Sequence, residues 1–528
     1  MPAHEPVLGI DLGTSYSCVS ILEDGQPTVI PNEWGERTQA SVVSFLNDGR
    51  IQVGNDAKRR LLTHPQQTVY SAKRLIGRFI FSPEVKKAKA VCPYEIVEGP
   101  NHGIRIKVLG EVLSVPQISA LVLKEMKEIA EGYLGQTVNK AVVTVPAYFN
   151  DNQRQATHDA GRIAGLEVLR IINEPTAAAL SYGFGKELNE RVAVYDLGGG
   201  TFDISILEIG SDTFEVIATA GDTYLGGDDI DMRLMDHFAE EFMEETGINL
   251  RTNVNALQRL REVAEETKKA FSSKKKVKVS VPEIHTDPGG NVYDFNTVIS
   301  SETFIQLTMD LVQRSFKVCD EALQSANMSV HDIDGVILVG GPTRLPLIRD
   351  SVRHYFGKEP LAGIDPDEVV AMGAAIQGDA LLDTESTAFL LDVTPLTLRL
   401  ATVGGYTEQI IGRNTPVPID RTRTFTTSRD NQERVKIRIL QGESNRVEEN
   451  EMLGEFEFAG FRVAPRGEVQ IEVTFEIDSN GIVNVSARDP ETGQSASTTV
   501  SLSSGLSEDE IQASADQVQA ADLMQERS

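Results

Sequence analysis

Two short segments of the chain repeat one design: an apolar strand ending in Asp-Leu-Gly, a glycine turn carrying hydroxyl side chains, and a returning strand. The first runs from Val7-Leu8-Gly9-Ile10 into Asp11-Leu12-Gly13-Thr14-Ser15-Tyr16-Ser17. The second runs from Val192-Ala193-Val194-Tyr195 into Asp196-Leu197-Gly198-Gly199-Gly200-Thr201-Phe202-Asp203. Glycines let backbone N–H groups close on phosphate oxygens, and Ser and Thr hydroxyls add donors. A carboxylate at the strand end, here Asp11 and Asp196, suits a hydrated Mg²⁺ that bridges those phosphates. A lone Asp-Leu-Gly-Thr is an ordinary turn in most proteins. Three consecutive glycines inside a strand pattern weaken the strand and need a reason. Two matching turns imply two related half-domains that close on one nucleotide. Neither a P-loop nor a Gly-x-Gly-x-x-Gly pattern occurs, which disfavours P-loop and Rossmann enzymes.

The chain is 528 residues long, well beyond the ~250–300 residues at which one core stops growing. Strand-like and helical runs alternate from Val7 to about Asp383, as in Ala141–Val145 followed by Asp151–Ala164, or Val336–Val339 followed by Leu345–Tyr355. That alternation predicts an α/β architecture. Thr384–Ala388 is small and polar, and Phe389-Leu390-Leu391 follows. From Asp392 to Leu502 short alternating strands such as Val435–Ile439 and Val469–Phe475 predict an antiparallel sandwich, with turns at Gly404-Gly405 and Asn480-Gly481. Ser507–Arg527 suits one helix, opened by a Ser507/Glu510 capping box. Asp and Glu number 78 against 50 Lys and Arg, a formal charge of −28, which argues against nucleic acid and anionic membranes as partners. Cys18, Cys92 and Cys319 are scattered without metal-ligand spacing and fit a reducing compartment, the cytoplasm. Cys18 reads as a small buried apolar residue before it reads as a redox reporter.

Further stretches carry a family resemblance: Ala72-Lys73-Arg74-Leu75-Ile76-Gly77, Val145-Pro146-Ala147-Tyr148-Phe149-Asn150, Ile172-Asn173-Glu174-Pro175-Thr176-Ala177, and Val339-Gly340-Gly341-Pro342-Thr343-Arg344. It continues through Leu391-Asp392-Val393-Thr394-Pro395 and Ala464-Pro465-Arg466-Gly467 to Ser504-Gly505-Leu506. With the two glycine turns, these resemble the DnaK-type seventy-kilodalton heat-shock chaperones. The resemblance implies a multidomain chain: an actin-like ATPase domain of two similar α/β lobes over 1–383, a linker over 384–391, a β-sandwich substrate domain over 392–505, and the start of a truncated helical lid over 506–528.

It also implies roles. Lys73 would position the γ-phosphate and attacking water, Asp203 and Thr201 would lie nearest that water, and Glu174 would arrange the metal's water shell and couple nucleotide to domain motion. Asp11 and Asp196 would hold Mg²⁺ through water, with K⁺ a further candidate. ATP or ADP would meet Gly13, Thr14, Ser15, Tyr16, Gly198, Gly199, Gly200, Thr201 and Gly227. The nucleoside would meet Glu265, Lys268, Lys269 and Ser272, which periodicity puts on one helix face, and Gly340, Gly341, Arg344 and Asp367 would close over the base. On periodicity alone that helix face is merely solvated. Lys269 replaces an arginine of some relatives and stacks less well, while Pro342 removes a hydrogen-bonding side chain.

Carried over in the same way, Leu400, Thr402, Phe425, Val435, Ile437 and Ile471 would form a peptide pocket under an arch of Val403 and Ser428, gripping an extended chain as strand addition does. Most of these also suit an ordinary core. Pro146, Arg154, Glu174, Phe389, Leu390, Leu391 and Asp392 would couple the domains, although Phe389-Leu390-Leu391 equally suits the first strand of the sandwich. Partners would be unfolded polypeptides, a J-domain cochaperone and a nucleotide-exchange factor. A small-molecule kinase of the same actin-like superfamily explains the paired turns but not the linker and sandwich. A scaffold that binds ATP without turnover leaves Lys73, Glu174, Asp196 and Thr201 without a purpose.

Overall fold

The computed structural model describes residues 5–211, 213–382, 389–499 and 505–524. The polar lead-in 384–388 and the end of the C-terminal segment, 525–528, lie outside them.

Lobe I is built on β1 (Val7–Asp11), β2 (Tyr16–Glu23), β3 (Gln26–Val29), β4 (Lys140–Val145) and β5 (Glu167–Asn173), in the spatial order β5-β4-β1-β2-β3. Lobe II is built on β6 (Glu190–Leu197), β7 (Phe202–Ile209), β8 (Thr213–Asp222) and β9 (Gly335–Val339), in the order β9-β6-β7-β8. The central strands read as near-continuous apolar runs because helices cover both faces. In each lobe an Asp-Leu-Gly strand turns back antiparallel, with Asp11 opposite Cys18 and Asp196 opposite Asp203. The expected internal repeat is therefore a repeat of topology.

Lobe I packs α1 (Val115–Leu134) and α2 (Asp151–Ile163) on its sheet, and both helices open with capping boxes, at Ser114/Gln117 and Asn150/Gln153. Helix α3 (Glu174–Gly183) follows β5, α4 (Gly227–Thr246) and α5 (Val254–Ala270) belong to lobe II, and α6 (Val369–Leu382) packs against β1 and α3. Each lobe has its own apolar core, and a third cluster joins them around Val142, Ala177, Val194 and Val370.

The boundary segment is a strand, β10 (Phe389–Val393), which extends the lobe II sheet rather than standing free. It pairs in parallel with β8, Phe389 to Leu391 lying opposite Thr213 to Glu215. Its last two residues pair antiparallel with β11 (Pro416–Val417) of the β-rich region. That region is a sandwich of two four-stranded sheets, as the alternation predicts. Leu400, Ile437 and Ile471 are buried in its core, with Phe425 and Val435 half-buried against it. Thr402 and Ser428 are half-buried, and Val403 is 78% exposed.

The sandwich sits on lobe I. The Asp151 carboxylate accepts the Val483 N–H at 2.6 Å, Asn480 accepts the Ile171 N–H at 3.0 Å, and Asn173 donates to Asp392 at 2.6 Å. Arg154 is buried beneath, donating to Asn173 at 2.7 Å and to the Ala147 and Phe149 carbonyls. It reaches Asp392 through Asn173. Pro146 is buried at the end of β4, one layer below. Helix α7 (Glu508–Ala520) begins with the expected Ser507/Glu510 box and lies on α1 and α2 of lobe I. Arg162 clasps Glu508, and Lys124 caps the helix end by donating to the Val518, Gln519 and Ala521 carbonyls.

Candidate functional site

The two glycine turns face one another across a cleft of about 580 Å³ between the lobes. Gly199 marks the closest approach. A Cβ built there would stand 1.9 Å from the Ser15 hydroxyl, so any larger residue forces the Ser15 side chain aside. Gly340, at φ +86°, turns the chain after β9 back over the cleft in a conformation that favours glycine.

The lining gathers nearly every residue expected there: Asp11, Gly13, Thr14, Ser15, Tyr16, Lys73, Glu174, Asp196, Gly198, Gly199, Thr201 and Gly227 at the phosphate end. Glu265, Lys268, Lys269, Ser272, Gly340, Gly341, Arg344 and Asp367 stand around the outer part. Gly200 and Asp203 are not on the surface of the cleft. Gly200 is packed against Thr14 and Arg74, and Asp203 lies buried behind the floor, accepting the Tyr148 N–H at 3.0 Å. One expectation needs correction: Ser272 is not on the helix with Glu265. Helix α5 ends at Ala270, and the Ser272 N–H meets the Lys269 carbonyl in the turn beyond. Arg344 is held by Asp365 and Asp367, 2.5 and 2.7 Å away, so its guanidinium is fixed at the rim.

The floor concentrates negative charge. Lys73, on a short 3₁₀ turn over Ala72–Arg74, is buried with its ammonium 2.5 Å from Glu174. Burial, and then the nearby Glu174 carboxylate, pushes Asp11 up to about 7 and Asp203 up to about 8. Asp196 is raised for the same two reasons. One lysine thus faces several carboxylates that do not all ionise without another cation. Among the described residues no three acidic, His or Cys side chains converge as direct metal ligands.

This gives a pH dependence. With raised pKa values, Asp11 and Asp203 hold protons that a cation has to displace. Affinity for Mg²⁺-ATP is expected to fall as pH drops from about 8 through 7, with protons released on binding. Calorimetry in buffers of different ionisation enthalpy reads that release directly, and heats independent of buffer would contradict it.

The outer end holds a network that sequence reading missed. Lys58 of lobe I donates to both oxygens of Glu265 on lobe II at 2.8 Å, and to the Tyr16 hydroxyl at 2.7 Å. Lys269 reaches the same hydroxyl at 2.9 Å and Glu265 at 2.7 Å. Burial works against the Glu265 charge, yet the two ammonium groups hold its carboxyl far below the usual range. Lys269 is therefore engaged across the mouth of the cleft. Lys58 and Glu265 are too far apart in sequence for any local pattern to pair them. Lys58→Ala should speed nucleotide release about fivefold, the worth of one partly exposed ion pair, in stopped-flow with a fluorescent nucleotide. An unchanged rate would mean that the pair does not hold the lobes together.

Among the described residues no helix is long and apolar enough to cross a membrane. In a comparison with protein families, residues 7–527 match the family described as Hsp70 protein.

Proposed function

The chain belongs to the Hsp70 family of ATP-dependent chaperones, and from that premise we propose that it binds and releases extended apolar segments of unfolded proteins, driven by ATP hydrolysis. The observation that carries this reading is the continuity of β10, which adds to the lobe II sheet at one end and at the other pairs with Pro416–Val417, whose Val417 is buried in the sandwich core. A kinase has no use for such a strand, and the small-molecule kinase reading is not favoured.

In this reading Mg²⁺, when bound with ATP, neutralises charge on the phosphates. The chain does the rest. Backbone N–H groups of the turns at Gly13–Ser15 and Gly198–Gly199 grip the phosphates, and the Ser15 and Thr201 hydroxyls add donors. Lys73 faces the transferring phosphoryl and orients the attacking water, while Glu174 keeps the ammonium in place at 2.5 Å. Asp203, behind the floor, acts by holding Tyr148 and shaping the field. Glu174 opens α3, and Asn173 beside it bonds Asp392, so a shift at the phosphates has a short path to β10. Leu400, Phe425, Val435, Ile437 and Ile471 would seat an apolar side chain of the client, with Thr402, Val403 and Ser428 above it. A J-domain cochaperone, a nucleotide-exchange factor and a cytoplasmic setting complete the proposal.

The test is steady-state ATP turnover with and without an extended apolar peptide. Peptide-stimulated turnover is expected. Turnover indifferent to peptide would favour a kinase-like enzyme, and none at all would favour a scaffold.

A further inference from the structure

Next to the nucleotide cleft, a second cavity of about 90 Å³ lies between the lobes. Lobe I supplies Tyr70 and Cys92, and lobe II supplies Met232, Met235, Gln258 and Arg261. Tyr70 is 5% exposed and its hydroxyl has no hydrogen-bond partner. Burial drives the phenol pKa far up, so the hydroxyl stays a neutral donor. The Gln258 amide and the Cys92 thiol stand near it without closing a bond. The thiol is 3.4 Å from the Tyr94 hydroxyl, which itself donates to the Tyr70 carbonyl at 2.7 Å. Arg261 lies flat over the Tyr70 ring at 3.9 Å, and the Asp228 carboxylate is 3.8 Å from its guanidinium, beyond hydrogen-bond reach.

A buried donor without an acceptor is costly, and native structures seldom keep one. The chamber is several times larger than the ~10–15 Å³ that one water needs, and smaller than the ~150 Å³ that admits benzene. On that scale it suits a molecule of about four heavy atoms. Arg74 and Arg261 balance Asp228 and Asp231 around it, so no net charge selects an ion. Methionine walls adapt to a small apolar body. We infer that this cavity is a binding site for a small neutral molecule with a carbonyl head on one or two methyl groups, whose head accepts from Tyr70. Its walls come from both lobes, so a molecule seated there favours the closed cleft and slows nucleotide release. The coupling rests on the ATP reading; the binding does not.

The probe is acetamide, titrated into the full nucleotide-free chain carrying ¹³C-methyl methionine. Saturable shifts of the Met232 and Met235 methyl resonances are expected. Tyr70→Phe, which keeps the ring, should weaken binding by about three- to tenfold, the worth of one hydrogen bond. Met235→Trp should fill the space and abolish it. No shift, or a linear shift equal in Tyr70→Phe, would show a water-filled void and overturn the site. Saturable binding that leaves nucleotide release unchanged would overturn the coupling.

Discussion

Replacing Lys73 with alanine is expected to lower single-turnover ATP hydrolysis by about 10²-fold while nucleotide binding stays nearly intact. The ammonium is buried at the phosphate end, so water does not take over its role. Phosphoryl transfer depends on positioning and on charges aimed at the transition state, and this is the cation best placed to supply one. The ground state offers many other grips through the two turns and the outer network. Hydrolysis within about threefold of the parent would remove Lys73 from the mechanism. Thermal melting of the nucleotide-bound variant separates lost chemistry from lost fold.

The double change Leu390→Asp and Leu391→Asp should abolish stimulation of turnover by peptide and leave basal turnover standing. Leu390 packs with the apolar cluster that joins the lobes, and Leu391 is half-buried opposite Glu215. Moving ionised carboxylates from water into those seats costs several kcal/mol, more than a short edge ladder returns. Each half would keep its own core and its own ligand site. The measurement is ATPase with saturating peptide, and undiminished stimulation would reduce the segment to a tether. Peptide affinity of the variant, now insensitive to ATP, supplies the reciprocal check that linkage requires.

Much of this was legible in the chain itself. The glycine turns announce a phosphate cleft because three glycines in a strand have few other uses, and the structure brings the two turns face to face at Gly199 and Ser15. Period-two alternation revealed the sandwich, and the Ser507/Glu510 box revealed the last helix. Sequence did not say where that helix rests. Its apolar residues Ile511, Ala515 and Val518 would suit any apolar face, and Arg105, Arg162, Lys124 and Gln117 on lobe I select this one. The Lys58–Glu265 tie was hidden for the same reason, since each looks like a solvated charge until the lobes close. Ser272 was misplaced because helical spacing continues on paper beyond Ala270, where the chain has already turned. Asp203 is legible as a carboxylate on the same side of the sheet as Asp196, which it faces across the strand pair, but its burial beneath the Tyr148 N–H is not.

Strand β10 changes partner partway along. Phe389 to Leu391 pair with lobe II, whereas Asp392 and Val393 pair with the sandwich, where Thr394 continues the ladder to Thr415 at 2.9 Å. Tension between the lobe II sheet and the sandwich is carried by β10 together with Arg413 and Asn414, whose side chains bond the Thr219 backbone of β8. On the lobe II side the share of β10 is borne by three residue pairs, against eight in the ladder between Ile419–Thr426 and Gln470–Ile477 inside the sandwich. A pull along the strand shears those three pairs together, while a sideways tilt peels them in turn. Parting them does not free the sandwich by itself, because Asp151, Asn173 and Asn480 tie it to lobe I and Arg413 ties it to Thr219, so separation under load has to break all of these contacts.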